Sequence, residues 1–141
     1  MFFRLRCVCF ISIGMLLAGC DSGTKIHGKI SVNGAPLDEA EIQFVPVTST
    51  GGDQLGTVVS KGEFTLADSE RLKAGEYQVQ IRAYRSSGKK IWDGMGDGTK
   101  KNMVDDLKQY IPAKFNDTSE LKVAIKTGNN EFSKDLQFPS K

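Results

Sequence analysis

From residue 26 to the carboxyl end, apolar and polar positions alternate with a period of two, the mark of half-buried β-strands. Ile26, Gly28, Ile30 and Val32 share one parity, and His27, Lys29 and Ser31 the other. Asn33-Gly34-Ala35-Pro36 breaks the run with a turn whose glycine accepts positive φ. Ala40, Ile42, Phe44 and Pro46 then alternate with Glu41, Gln43 and Val45. Residues 47–54 have the composition of a loop. Leu55–Ser60 and Glu63–Ala67 flank Lys61-Gly62, a tight-hairpin pattern. The cleanest strand sets Tyr77, Val79, Ile81 and Ala83 against Glu76, Gln78, Gln80 and Arg82. Leu121, Val123 and Ile125 form another, Gly128-Asn129-Asn130 reads as a turn, and Phe132, Leu136 and Phe138 share a parity in the last strand.

This pattern predicts about seven strands with turn signals between them and no long helix, hence an all-β, antiparallel Greek-key sandwich. Two segments depart from it. Arg85–Gln109, about 25 residues, reads as a long loop, and loops of that length in compact sandwiches are either functional or flexible. At its end Met103, Leu107, Tyr110 and Ile111 fall at spacings of four, three and one. That spacing predicts a short helical segment, capped by Asn102 and stopped by Pro112.

The first twenty residues, MFFRLRCVCFISIGMLLAGC, follow a different logic. Arg4 and Arg6 form a positive start, and residues 7–18 are uncharged and mostly apolar. The run is shorter than the roughly 20 residues that a membrane-spanning helix needs, and polar residues follow it, so it reads as an export signal. Leu17-Ala18-Gly19-Cys20 resembles the lipobox of bacterial lipoproteins. The resemblance implies cleavage before Cys20 and a diacylglycerol on its sulfur; small residues at 18 and 19 suit the cleavage pocket. It also implies that Asp21, directly after the lipidated residue, favours inner-membrane retention in some double-membraned bacteria. The expected organisation is a signal peptide over 1–19, a lipidated tether over 20–25 and one domain over 26–141. Five extended residues reach roughly 17 Å, which holds the domain close to a bilayer surface. The expected location is the cell envelope, on the exported side of the cytoplasmic membrane or in the outer membrane.

Composition changes meaning once that leader is set aside. The whole chain has 141 residues, 19 basic and 17 acidic, net +2. Taking 19 residues from 141 leaves 122; two arginines go with them, so 17 bases face 17 acids and the charge falls to zero. Even the +2 of the whole chain is too small to suggest a dedicated nucleic-acid binder. On this reading, of the three cysteines, Cys7 and Cys9 leave with the leader and Cys20 would carry the lipid. No thiol is left for a disulfide, a metal or a nucleophile.

Candidate chemistry is correspondingly sparse. His27 is the sole histidine and falls on the polar parity of the first strand, so no multi-histidine metal site is available and a surface position is expected. No G-x-S-x-G elbow occurs. Asp93-Gly94-Met95-Gly96-Asp97-Gly98 starts like a calcium loop, but Met95 and Val104 stand where oxygen ligands are required. The remaining candidate is the basic, glycine-rich 85–109 segment. Lys89, Lys90, Trp92, Lys100 and Lys101 offer contacts for a protein, a glycan or anionic headgroups; alternatively, Ile91 and Trp92 pin the loop back onto the sandwich. No cofactor is expected.

The order of several runs also carries a family resemblance. Ile26-His27-Gly28-Lys29-Ile30-Ser31-Val32-Asn33-Gly34-Ala35-Pro36-Leu37 is followed by Ala40-Glu41-Ile42-Gln43-Phe44-Val45-Pro46. Leu72-Lys73-Ala74-Gly75-Glu76-Tyr77-Gln78-Val79 and Ile111-Pro112-Ala113-Lys114-Phe115-Asn116-Asp117-Thr118-Ser119-Glu120-Leu121 come later. Together they resemble the carboxypeptidase-regulatory-like, or transthyretin-like, domains of small bacterial lipoproteins. The resemblance implies a seven-stranded sandwich and brings no established activity. The hydroxyisourate hydrolases of a related fold need several histidines and a carboxyl-terminal Tyr-Arg-Gly-Ser, and this chain ends Phe138-Pro139-Ser140-Lys141. The expectation is a lipid-anchored, non-enzymatic envelope protein with a structural or protein-binding role. The alternative is a carbohydrate- or solute-binding accessory module, for which Trp92, Tyr84 and Tyr110 are the aromatic set.

Overall fold

The computed structural model describes residues 23–68, 70–95 and 101–139. The leader, the lipobox residues Leu17, Ala18 and Gly19, the lipidation site Cys20, and Lys100 lie outside the described residues.

Ten strands and one 3-10 turn follow one another in this part of the chain. They are β1 (Lys25–Val32), β2 (Ala35–Pro36), β3 (Ala40–Pro46), β4 (Leu55–Val59), β5 (Glu63–Ala67), β6 (Gly75–Trp92), β7 (Met103–Gln109), the 3-10 turn Ala113–Phe115, β8 (Lys122–Ile125), β9 (Asn129–Glu131) and β10 (Lys134–Leu136). The architecture is the expected all-β sandwich. One sheet is built around β1, with β5, β9, β10 and β2 as its neighbours; the other runs β4-β3-β6-β7, with β8 also on β6. β3, β4 and β5 follow one another, and β6 then returns beside β3, which is the Greek-key path. Two tight turns, one between β1 and β2 and one between β4 and β5, were legible in the sequence. Asn33-Gly34 and Lys61-Gly62 both place consecutive residues at positive φ (49° and 84°; 52° and 81°), the geometry of two-residue hairpin turns.

The alternating residues form the core. Ile26 and Ile30 of β1, Ile42 and Phe44 of β3, Val59 of β4, Tyr77, Val79 and Ile81 of β6 and Leu136 of β10 are all fully enclosed. Phe44 and Phe64 meet across the two sheets with ring centroids 5.9 Å apart. Tyr77 keeps its hydroxyl satisfied inside this apolar layer: it donates to the Lys73 carbonyl (3.0 Å) and accepts from the Lys73 N–H (3.1 Å). The Asn116 and Ser119 side chains are buried as well. The Asn116 amide donates to the carbonyls of Ile111 (2.8 Å) and Pro112 (3.1 Å), and Ser119 donates to the Val79 carbonyl. Both residues are structural plugs that seat the 3-10 turn against β6.

Four details correct the sequence reading. First, Met103–Gln109 is a strand, not a helix. Met103 and Leu107 are four apart, a spacing that fits a helical face and a strand face alike. Second, the expected loop Arg85–Gln109 is largely a β-hairpin made by the end of β6 and by β7. Third, the sheets are not wholly antiparallel: β9 and β10 both run parallel to β1. The last apolar run is split into these two short strands at Phe132, whose N–H donates to the His27 carbonyl at 2.9 Å. Asn129 and Asn130, read as part of a turn, open β9. Fourth, the domain begins earlier than residue 26. Thr24 is buried, and Lys25 already pairs with Ala67 and Asn129, so the span between Cys20 and the fold is shorter than supposed.

Candidate binding site: a free β-ribbon and the cleft at its root

β6 is far longer than its neighbours. On one side β3 accompanies it only as far as Ala83; on the other, β8 covers Gly75–Gln78 and β7 takes over from Tyr84. Beyond Tyr84 the two strands β6 and β7 therefore continue alone. Large apolar side chains stand in water along this ribbon: Leu107 is 60% exposed, Trp92 51%, Ile91 49% and Met103 47%. They do not pin the segment to the sandwich.

Cross-strand register assigns the faces, because residues directly opposite in an antiparallel pair lie on the same face. Tyr84 faces Gln109, Ser86 faces Leu107, Lys90 faces Asp105 and Trp92 faces Met103 on the outer side. Arg85 faces Lys108 and Ile91 faces Val104 on the side that continues the core face. A bulge separates the two halves of the ladder, with Ser87, Gly88 and Lys89 against Asp106 alone. Gly88 makes room for it at φ 78°, and the Ser87 hydroxyl donates to Asp106 at 2.7 Å.

The sequence-selected residues fall as follows. Lys89 is exposed within the bulge. Lys90 is paired with Asp105 at 3.1 Å, both side chains largely in solvent. The Trp92 indole N–H donates to the Met95 carbonyl (2.9 Å), and the Lys101 ammonium lies 5.6 Å from its ring centroid. Tyr84 and Trp92 share a face but are six β7 positions apart, roughly 20 Å, and Tyr110 belongs to the other face. The three aromatics form no common platform.

A second feature was not legible in the sequence. Where the ribbon leaves the sandwich, a cleft of about 760 Å³ opens between Arg85, Lys108 and Tyr110 on one side and Val32, Phe138 and Pro139 on the other. The Arg85 guanidinium sits 5.4 Å from the Tyr110 ring centroid. Among the described residues neither Arg85 nor Lys108 is in an ion pair. The opposite wall is fixed by polar contacts to the turn after β1. Asn33 donates to the Phe138 carbonyl (2.8 Å) and accepts from its N–H (3.2 Å). Asp135 accepts from the Ser31 hydroxyl (2.6 Å) and the Gly34 N–H (2.9 Å). These bonds, first the Ser31 hydroxyl, then the Gly34 N–H and the Gln137 amide, hold the Asp135 carboxyl below its ordinary value. Chemically the cleft offers two cations over an apolar floor. Arg85 and Lys108 stand 23 positions apart in sequence, so only the ladder register reveals them as neighbours.

His27 is exposed on β1 opposite Thr65 and Glu131. Among the described residues no three His, Cys, Asp or Glu side chains gather where they could hold a metal, and no helix is long and apolar enough to cross a membrane.

The ribbon lies at the end of the sandwich away from the start of β1. β1 and β6 both start at one end of the sandwich, where Lys25 pairs with Asn129 and Gly75 with Ile125. Val32 and Arg85 meet at the other end, in the cleft.

No family model matches the chain, and no curated protein matches it. Among solved structures, a 9R-lipoxygenase from Cyanothece PCC8801 is similar over 84% of this chain at 12% identity, with a TM-score of 0.40. The chain spans 17% of that protein's length. A likeness this slight says nothing about activity.

Proposed function

We propose that this chain is a lipid-anchored cell-envelope protein, held through Cys20, that displays a non-catalytic β-sandwich and binds another protein through the β6–β7 ribbon. One observation carries the binding half: a two-stranded arm with exposed Leu107, Trp92, Ile91 and Met103 at the end of the sandwich opposite the start of β1. Isolated two-stranded ribbons are marginal in water, and large apolar residues on both faces of one mark a contact surface. The leader pattern ending in Leu17-Ala18-Gly19-Cys20 supports the anchoring half, as does the resemblance to transthyretin-like bacterial lipoproteins. One acyl chain binds a membrane only marginally, whereas the diacylglycerol supplies two. Of the two partner classes, protein is favoured over glycan because Tyr84, Trp92 and Tyr110 are not assembled into a stacking surface.

Two measurements test the reading separately. Replacing Cys20 with serine is expected to abolish the lipid mass and move the protein out of the membrane fraction. A C20S protein that is cleaved and partitions like the parent overturns the anchor. A photo-crosslinking amino acid at Trp92 is expected to capture protein in the native envelope, while the same group at exposed Glu41 captures little. Equal yields at the two positions overturn the ribbon as the binding element.

A further inference from the structure

We infer that the ribbon's partner is a second copy of this chain, joined edge to edge through β7 in antiparallel register with Leu107 on the two-fold axis. This rests on the ribbon being the recognition element. It adds the identity of the partner and the register.

The backbone fixes which groups are on offer. The Tyr110 N–H donates to the Ala83 carbonyl (3.1 Å), and the Asp93 N–H to the Asn102 carbonyl (3.2 Å). Even-numbered residues of this strand therefore turn their peptide groups toward β6. The N–H and C=O groups of Met103, Asp105, Leu107 and Gln109 turn outward, and among the described residues no strand pairs with them. The opposite edge of the ribbon is a poorer template, since the three-against-one bulge at Gly88 interrupts it. β7 has no proline, glycine or bulge over its seven residues.

Among the registers centred on residues 105 to 108, charge then favours one. A two-fold axis normal to the sheet preserves faces. With Leu107 opposite itself, Asp106 lies opposite Lys108 of the second copy, Asp105 opposite Gln109, and Val104 opposite Tyr110. Moving the axis by one residue sets Asp106 against Asp106 or Lys108 against Lys108; moving it to residue 105 sets Asp105 against itself. Like charges directly opposite are destabilising and opposite charges stabilising. The Asp-Asp-Leu-Lys run thus repels most edges, as charges on edge strands commonly do, yet complements its own reverse. In the Leu107 register the outward peptide groups of residues 105, 107 and 109 all find partners, six hydrogen bonds in total by the antiparallel pattern.

Pairing in this register also resolves a conflict inside the single chain. Arg85 and Lys108 are cross-strand neighbours of like charge. In the pair, Asp106 of the second copy takes the place on the far side of Lys108. One row then reads Ser87, Asp106, then Lys108 and Arg85 of the second copy. The next rows bury what the monomer exposes: Leu107 meets Leu107 on the outer face, and Ile91 and Val104 meet Tyr110 on the other. The interface is small, so the pairing is weak in dilute solution and strengthened where a shared membrane raises the local concentration.

A charge swap tests both identity and register. The full-length protein, in detergent and in its own membranes, is compared with D106K and K108D by sedimentation velocity and amine-independent photo-crosslinking. Each single variant is expected to lose dimer by at least tenfold. An equimolar mixture of D106K and K108D is expected to recover it to within threefold of the parent, because each cross-copy pair at these two positions then joins a lysine to an aspartate. The double swap D106K/K108D is likewise expected to dimerise alone. These residues lie on the ribbon surface, and an unchanged urea midpoint for every variant establishes that folding is intact. A parent that stays monomeric at all concentrations, or single swaps that dimerise like the parent, overturn the inference. A monomer whose Trp92 position still captures another envelope protein overturns self-pairing alone; no capture of any protein there overturns the ribbon reading with it.

Discussion

Gly28 stands on the buried face of β1, and the structure gives the reason for a glycine there. A Cβ at this position would come within 1.8 Å of the Phe132 carbonyl oxygen, a backbone atom in the crossing between β9 and β10. Gly28→Ala is expected to cost about 3 kcal/mol, at the upper end for overpacking, because the obstacle is main chain and cannot rotate away. Gly52, where an added Cβ would lie at an ordinary 3.4 Å from the Tyr77 hydroxyl, serves as the contrast; its alanine variant should stay within about 0.5 kcal/mol. Urea midpoints decide, and equal shifts at the two positions would contradict the close approach. Asp135 gives a pH signature from the same region. Its carboxyl is lowered by the bonds from Ser31, Gly34 and Gln137, so the folded state favours the ionised form. The stability it adds is complete above the ordinary carboxylate pKa of about 4 and is lost as pH falls through the lower folded value. Asp68 acts in the same sense through the Arg71 backbone N–H and then the Arg71 side chain. Asp135→Asn is therefore expected to flatten the loss of stability below pH about 4. An unchanged acid slope by urea titration would show that its hydrogen bonds are idle. Neither effect is visible in sequence, where Gly28 reads only as a gap in an apolar face and Asp135 as a polar residue of a strand.

Among the elements, the difference between the two halves of β6 explains what was legible. From Gly75 to Ala83 one face is enclosed and the other is wet, so Tyr77, Val79, Ile81 and Ala83 alternate visibly. From Tyr84 onward both faces meet water, the burial contrast vanishes, and with it the period-two signal. The Ser86–Lys90 bulge keeps the parity but interrupts the run with three residues against one. That is why Arg85–Gln109 reads as a loop and why the spacing of Met103 and Leu107 imitates a helix. The parallel pairing of β9 and β10 with β1 stayed hidden for another reason: strand direction depends on partners about a hundred residues away, and alternation carries no direction. The cationic cleft required both the register and the return of Phe138, so it had no sequence signature. Composition alone picks out the segment's aromatics and lysines, but it leaves open whether they stand in water. The same asymmetry gives an experiment. Replacing residues 87–106 with Asn-Gly joins Ser86 to Leu107 through a two-residue turn at an existing cross-strand pair. Since the described residues of the removed part bury little, the trimmed protein is expected to keep its thermal midpoint to within a few degrees, corresponding to less than about 1 kcal/mol, while its dimer fraction in sedimentation velocity falls. A large drop in midpoint would mean that the ribbon supports the fold rather than a partner.

Across the whole molecule, the direction of β1 and β6 links the proposed anchor to the proposed binding arm. The two strands start at the same end of the sandwich. Nine steps of β6 from Gly75 to Tyr84 span about 30 Å before the free ribbon even begins. With Cys20 lipidated, as proposed, only residues 21–23 separate the anchor from buried Thr24, and the ribbon would point into the aqueous compartment. This orientation separates a protein-binding arm from a headgroup-binding one, because basic residues act on anionic lipid only within about a Debye length, near 8 Å at physiological salt. Lys89, Lys90 and Lys101 lie on the wrong end for that. Trp92 is the chain's single tryptophan, so its fluorescence reports this position without labelling. On vesicles carrying the lipidated protein, brominated acyl chains are expected to leave the emission unchanged, and the same emission should remain open to an aqueous quencher such as acrylamide, in vesicles with and without anionic lipid. Quenching by the brominated chains that grows with the anionic fraction would place the ribbon on the membrane and replace the protein partner with the bilayer itself.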